Sequence, residues 1–220
     1  MAQSDVEFAG FSVKNQSFLW ITTLSQWDIQ FEKDDPLYQG IAGLSFDTLS
    51  RVNQVVLEAT NDTWGRSLMS SIFLSDPSTP NHIAFFLDRT GDLNDTDTGL
   101  FDIGTYAAGY ESIANEPKHE VFSGYKQGVI HWNTLVSGIS INGTKQELIS
   151  SVVVDNSTQV NNAVPAGSIS ALMDTGTSTA ELPEAAFTAL YEAMGGVLID
   201  RSSVYAVPCM SEADMEITMG

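Results

Sequence analysis

The sequence predicts an all-β protein with few helices, and three observations carry that reading. Short segments rich in β-branched and aromatic residues recur along the chain. Turn formers such as Asn142-Gly143 and Asn94-Asp95 punctuate them. Only one stretch carries a complete set of helix signals. Strands so short and numerous argue for a sandwich or barrel-like architecture.

In chain order, strands are expected over Ser17 to Thr22, Ser71 to Leu74, Ile83 to Leu87, Val129 to Ile141 and Leu148 to Val154. A weak helix candidate runs from Arg51 to Leu57. The strong one is Pro183 to Met194, with Pro183 at the first turn and Glu184 beside it. Ala186, Phe187, Leu190, Tyr191 and Met194 form its apolar stripe, and Gly195-Gly196 stops it. Asp76-Pro77-Ser78-Thr79-Pro80 is either a linker between two parts or a long hairpin loop. No repeat at a solenoid period is present.

A length of 220 residues suits one large domain or two modest ones. Nine Lys+Arg against 28 Asp+Glu give a net charge of −19. Phosphate backbones and anionic membrane surfaces would be repelled, so nucleic acid is not an expected partner. No apolar run approaches the roughly 18 residues of a spanning helix, so no membrane anchor is visible. The opening Met1-Ala2-Gln3-Ser4-Asp5 lacks the basic and apolar regions of a signal peptide. Cys209 is the single cysteine, which excludes an internal disulfide and a cysteine-based zinc cluster. Asn-x-Ser/Thr sequons at Asn15, Asn61, Asn94, Asn142 and Asn156 tilt the reading towards an extracytoplasmic compartment.

The segment that carries chemistry is Ala171-Leu172-Met173-Asp174-Thr175-Gly176-Thr177-Ser178. An apolar strand running into Asp-Thr-Gly should drive the Asp174 carboxylate inward, where only surrounding hydrogen-bond donors make burial tolerable. Thr175, the Gly176 amide and the hydroxyls of Thr177 and Ser178 can supply them, and Gly176 permits a tight turn.

Here the chain resembles the pepsin-like aspartic proteases. Tyr38-Gln39-Gly40-Ile41-Ala42-Gly43-Leu44-Ser45-Phe46 is similar to that family's aromatic-x-Gly-Ile-x-Gly-Leu segment. Phe73-Leu74-Ser75 resembles its strand leading out of the first lobe, and Gly99 to Gly104 its Gly-x-hydrophobic-x-hydrophobic-Gly strand. Val129 to Gly143, with Trp132, resembles the hairpin before the second Asp-Thr-Gly, where Asp174-Thr175-Gly176 then falls. Five segments in the family's order cover roughly residues 8 to 218.

The resemblance implies an all-β, bilobal acid-protease fold in incomplete form. Residues 1–76 would be a remnant of the N-terminal lobe, and residues 77–220 the C-terminal lobe carrying Asp174. It implies an aspartic endopeptidase acting on polypeptide substrates, needing no cofactor or metal, monomeric at full length. The location would be extracellular, or vacuolar and lysosome-like. Asp174 would be one carboxylate of a proton-sharing pair that activates water. Thr175 would bond across the lobes, Thr177 to the Asp174 carboxylate, and Gly176 would contact substrate backbone. Ile41-Ala42-Gly43 would support a first aspartate expected upstream of Met1. The flap's Tyr-Gly pair does not occur, a second crossing segment is expected beyond Gly220, and the partner of Cys209 is expected downstream. This chain would then supply only the second aspartate and be inactive by itself, with Cys209 a partly buried free thiol. Two alternatives are a catalytically inactive binding module and a one-aspartate chain active only as a homodimer.

Other residues are read as structural. Asp97-Thr98-Gly99 lacks an apolar strand before it and a hydroxyl after it, and reads as a turn. Asp34-Asp35-Pro36 reads as a solvated turn. His82, His119 and His131 lack metal-ligand spacing. Trp20, Trp27, Trp64 and Trp132 read as core or pocket wall.

Overall fold

A computed structural model of the chain describes residues 1–23, 40–87, 99–123, 129, 131–150, 164–177, 179–199 and 204–220. Most of its elements are strands, with three α-helices among the described residues. By contacts the chain forms two compact units, Met1–Pro117 and Lys118–Gly220.

The first unit opens with a hairpin, β1 (Ala2–Phe8) and β2 (Phe11–Phe18). Its two-residue turn, Ala9-Gly10, has φ of 49° and 84°, the left-handed pair that matches strand twist. The pairing slips between Ser4 and Val6, leaving Asp5 opposite Lys14 and Asn15. Asp5 holds that bulge by accepting from the Asn15 amide at 3.1 Å and from Lys14 Nζ at 2.7 Å.

After a short turn at Asp47–Leu49 come α1 (Arg51–Thr60) and α2 (Leu68–Ser75). Each is capped by a serine, Ser50 accepting from the Asn53 amide and Ser67 from the Ser70 amide. Gly65 lies so close to α1 that a Cβ there would sit 2.9 Å from Asn53 Cα. The antiparallel pair β3 (Ile83–Phe86) and β4 (Leu100–Ile103) completes the unit. Its core gathers Val13 of β2, Met69 and Ile72 of α2, and Ile103 of β4, with Ile83 and Phe101 packed on them. Ile72 is fully buried.

The second unit is built on β5 (Asn133–Ile141), the longest strand described. Asn142-Gly143, with φ of 46° and 77°, turns it into β6 (Thr144–Lys145). Further pairs are β7 (Ile169–Leu172), along the start of β5, and β10 (Met215–Met219), along its end. Val136 pairs with both Ile169 and Met219, so β7 and β10 lie on opposite edges of β5. Then α3 (Glu184–Ala193) lays Ala186 on Val136, Ile139 and Ile141 of β5. Gly195, at φ 72°, ends the helix, and a pair, β8 (Val197–Ile199) and β9 (Val204–Ala206), follows. Tyr205 stacks on Tyr191 at 4.8 Å, so the apolar stripe of α3 divides between two neighbours.

The helix expected at Pro183 to Met194 and the weak candidate at Arg51 to Leu57 are both present, the second running on to Thr60. Ser71 to Leu74, expected as a strand, is the second half of α2, and so is Phe73-Leu74-Ser75. The Ser67 cap and the three-residue spacing of buried Met69 and Ile72 explain the helix. Of Ser17 to Thr22 only Ser17 and Phe18 are in strand. Residues 151–154 of the expected Leu148 to Val154 strand lie outside the described residues, and Leu148 to Ser150 are not in strand. The compact units part at Pro117 and Lys118, later in the chain than residue 76, because β3 and β4 pack on the first core. The division of 1–76 from 77–220 concerns lobes of the resembled family and stays an expectation. Trp20, Trp64 and Trp132 are exposed rather than core, at 69%, 38% and 37%. Trp27 and Asp34-Asp35-Pro36 lie outside the described residues.

Candidate active site

The site begins with the ladder between β7 and β5. Asn133 pairs with Leu172 and Val136 with Ile169. Asn133 Nδ2 also donates to Ser170 Oγ at 3.1 Å. One bond beyond the strand, the Met173 amide donates to the Trp132 carbonyl at 2.9 Å. The chain therefore leaves the sheet directly at Asp174, from a backbone fixed on one side.

The turn that follows is held by the aspartate itself. The Gly176 amide donates to Asp174 Oδ1 at 2.8 Å, an Asx-type turn. The Thr177 amide reaches the Asp174 carbonyl at 3.5 Å, the long limit of such a bond. A Cβ on Gly176 would stand 3.1 Å from Oδ1, so glycine is what allows this approach. Oδ1 is thereby anchored, while Oδ2 has no hydrogen-bond partner among the described residues. A carboxylate with one oxygen fixed and the other open can take a proton from water or return one.

The expected burial of Asp174 is not found. Asp174, Thr175, Gly176 and Thr177 are all exposed, and so are Leu172 and Met173, at 50% and 53%. An apolar strand buries its end only where another surface covers it, and none of the described residues of this unit does so. Among the described residues the donor that reaches the carboxylate is the Gly176 amide, and the Thr177 hydroxyl makes no such bond. Ser178 lies outside the described residues.

Ile41-Ala42-Gly43 belongs to the other compact unit. It is exposed, Ile41 at 86%, and not in strand; the segment is tied down by Leu44, which packs on the first unit's core. Tyr38 and Gln39 of the same motif lie outside the described residues, as do Asp97 and Thr98. Cys209 is a free thiol, and exposed where partial burial was expected. His82 stacks on Tyr106 at 4.5 Å, and no group of three metal-binding side chains occurs among the described residues.

Sequence reasoning did not single out the Trp132 carbonyl, whose bond to Met173 sets where the Asp174 loop departs. A backbone acceptor leaves no residue-type signal. A groove of about 960 Å³ also lies in the second unit, beside α3 with Leu182 and Ile169 in its wall, and Asp174 does not line it. Carboxylates held below their ordinary pKa lie in the first unit instead. Asp5 is lowered chiefly by the Lys14 hydrogen bond, Asp76 by Ser78, and Glu111 by its own backbone amide and that of Gly109.

Asp-Thr-Gly on a turn at the end of a paired strand is the motif on which the resemblance to aspartic peptidases rests. The family model for eukaryotic aspartyl protease matches residues 1–220, and the chain belongs to that family. No curated protein and no solved structure matches it.

Proposed function

We propose that this chain supplies one catalytic carboxylate, Asp174, to an aspartic endopeptidase acting on polypeptides. The observation that carries the reading is the exposed Asp174 carboxylate itself, one oxygen held by the Gly176 amide and the other without a hydrogen-bond partner among the described residues. In this reading Asp174 alternates between base and acid. It takes a proton from the attacking water and returns one to the leaving amine. Hydrolysis in this class needs two carboxylates sharing one proton, as the pair in pepsin does, and that coupling is carried over from the class. In this reading Asp174 is the carboxylate of the pair that sits on an Asp-Thr-Gly turn among the described residues, and the second is proposed to come from other polypeptide. Ile41-Ala42-Gly43 is the segment proposed to support it. Residues 1–76 and 77–220 would then contribute to two lobes of one monomeric enzyme.

No metal or organic cofactor has a role in this mechanism, and the location proposed is extracellular or vacuolar. The test is hydrolysis of denatured protein between about pH 3 and 5, near ordinary carboxylate pKa values. The 220-residue chain, its Asp174→Asn variant and a longer chain carrying a first Asp-Thr-Gly are compared. Silence in the first two and cleavage by the third supports the proposal. Cleavage by the 220-residue chain that vanishes in the variant contradicts it, and points to a homodimer.

A further inference from the structure

Among the described residues, four that are not glycine have positive φ: Ala9, Asn15, Asn61 and Asn142. The three asparagines each open an Asn-x-Ser/Thr sequon. Asparagine tolerates this left-handed region better than most residues, so backbone shape alone could account for each of them. The hydroxyl two residues later is what separates the three sites.

At Asn15 the side chain is exposed, but its backbone and the serine of the sequon are engaged by the fold. Its backbone N–H donates to Asp5 Oδ1 and its backbone carbonyl accepts from Gln3 Nε2. Ser17 is 6% exposed and donates its hydroxyl to the Trp64 carbonyl at 2.9 Å. At Asn142 the side chain is already engaged, Oδ1 accepting from the Asp214 amide at 2.8 Å while the Asn142 amide donates to the Asp214 carbonyl. Asn61 differs. It ends α1 at φ 55°, its amide bonded to the Leu57 carbonyl, and its side chain makes no hydrogen bond among the described residues. Asn61, Asp62 and Thr63 are all exposed. The cap explains Asn61 but gives no reason for Thr63, whose hydroxyl has no partner among the described residues.

We propose that Asn61 is an N-glycan acceptor, filled ahead of Asn15 and Asn142 when the chain passes through the secretory pathway. The donor is a lipid-pyrophosphate-linked oligosaccharide. Asn61 Nδ2 forms a bond to the anomeric carbon of the first sugar as that carbon's bond to the pyrophosphate oxygen breaks. The lipid pyrophosphate leaves with the electron pair, and one Nδ2 proton passes to solvent. Transfer needs the amide nitrogen and the hydroxyl two residues on to be reachable together, and a glycan needs solvent to occupy afterwards. Asn61 and Thr63 meet both needs in the folded chain. Leu57 and Trp64, 47% and 38% exposed, lie on either side of the sequon in sequence and offer apolar surface that a glycan would cover.

Glycan occupancy at Asn61 does not depend on peptidase activity. The full chain, led into the secretory pathway of a eukaryotic cell by a cleavable leader, is recovered and treated with an amide-cleaving glycosidase in heavy-oxygen water. Peptide mass mapping then reads which asparagines became labelled aspartate. The expected result is label at position 61 in most molecules and at higher occupancy than at 15 or 142. Asn61→Gln and Thr63→Ala should each remove that label and one glycan from the gel mobility; Thr63→Ala keeps the helix cap and so guards against misfolding. Unlabelled Asn61 in the recovered chain, or higher occupancy at Asn15 or Asn142, would overturn the proposal.

Discussion

The two compact units stabilise their family motifs in different ways. In the second, Asp174 follows a strand paired with β5, and Met173 is bonded to Trp132 at the last step before the turn. In the first, Ile41-Ala42-Gly43 is exposed, not in strand, and anchored through Leu44. The Asp174 turn takes its position from partners within its own unit, and its glycine completes the geometry. The Ile41 segment has no such ladder among the described residues. A motif is built locally when its partners are near in the fold; otherwise only its residues remain to mark it.

The cores sharpen the contrast. The first rests on a helix, α2, laid over strand residues, and the second on a strand, β5, beneath α3. The largest expected effects therefore come from one residue in each. Ile72→Ala and Ile139→Ala should each cost about 2–5 kcal/mol in urea unfolding. A loss below about 1 kcal/mol at either would show that its cluster is not a core. Next is Gly65→Ala in the first unit, where a new Cβ meets the α1 backbone at 2.9 Å. Overpacking there should cost about 1–3 kcal/mol. An unchanged urea midpoint would mean that α1 is free to move away.

A smaller effect separates the helices themselves. Ser67 caps α2 with its side chain, whereas Pro183 gives α3 no side-chain cap. Ser67→Ala should cost about 1 kcal/mol, and Pro183→Ala should cost less than that. Equal losses would remove the distinction.

The smallest effect is the pH dependence. Asp5, Asp76 and Glu111 are held below ordinary values of 3.8, 3.8 and 4.5 by hydrogen bonds, led respectively by Lys14, Ser78 and the Glu111 backbone amide. A carboxylate whose folded pKa is lowered stabilises the fold above its unfolded pKa. That contribution is lost as pH falls through the folded value. Stability should therefore fall with acidification below about pH 4.5. In Asp76→Ala, which is weaker already at neutral pH, it should fall less. All three groups are solvent-exposed, so the slope should be shallow. An acid dependence unchanged in the variant would contradict the assignment.

How much of the molecule is legible in the sequence depends on how local each cause is. The helix from Glu184 to Ala193 has its proline, acidic first turn, stripe and terminating glycines within one window. The Asn142-Gly143 turn and the Asp174 motif are equally local. In contrast, Ser71 to Leu74 is too short a window to show a period, and its helix rests on a cap at Ser67 and a core reached through Ile72. The first hairpin escapes a reading by composition because β1 is largely polar and turns on Ala9-Gly10 rather than an asparagine pair. β10 escapes it because Met215, Glu216 and Met219 give that strand a weak strand composition. The exposure of Asp174 is not legible either. Burial depends on what covers a strand end, and Leu172 and Met173 name only its apolarity.

The central claim is that the Asp174 turn, and not the other Asp-Thr-Gly at Asp97, carries catalysis. The direct measurement is kcat/KM on denatured protein at about pH 4 for a competent longer chain and its Asp174→Asn and Asp97→Asn variants. Loss of one acid–base carboxylate predicts a fall of about 10²- to 10⁴-fold or more for Asp174→Asn, with Asp97→Asn unchanged. Full activity in Asp174→Asn, or a comparable loss in Asp97→Asn, would contradict the account.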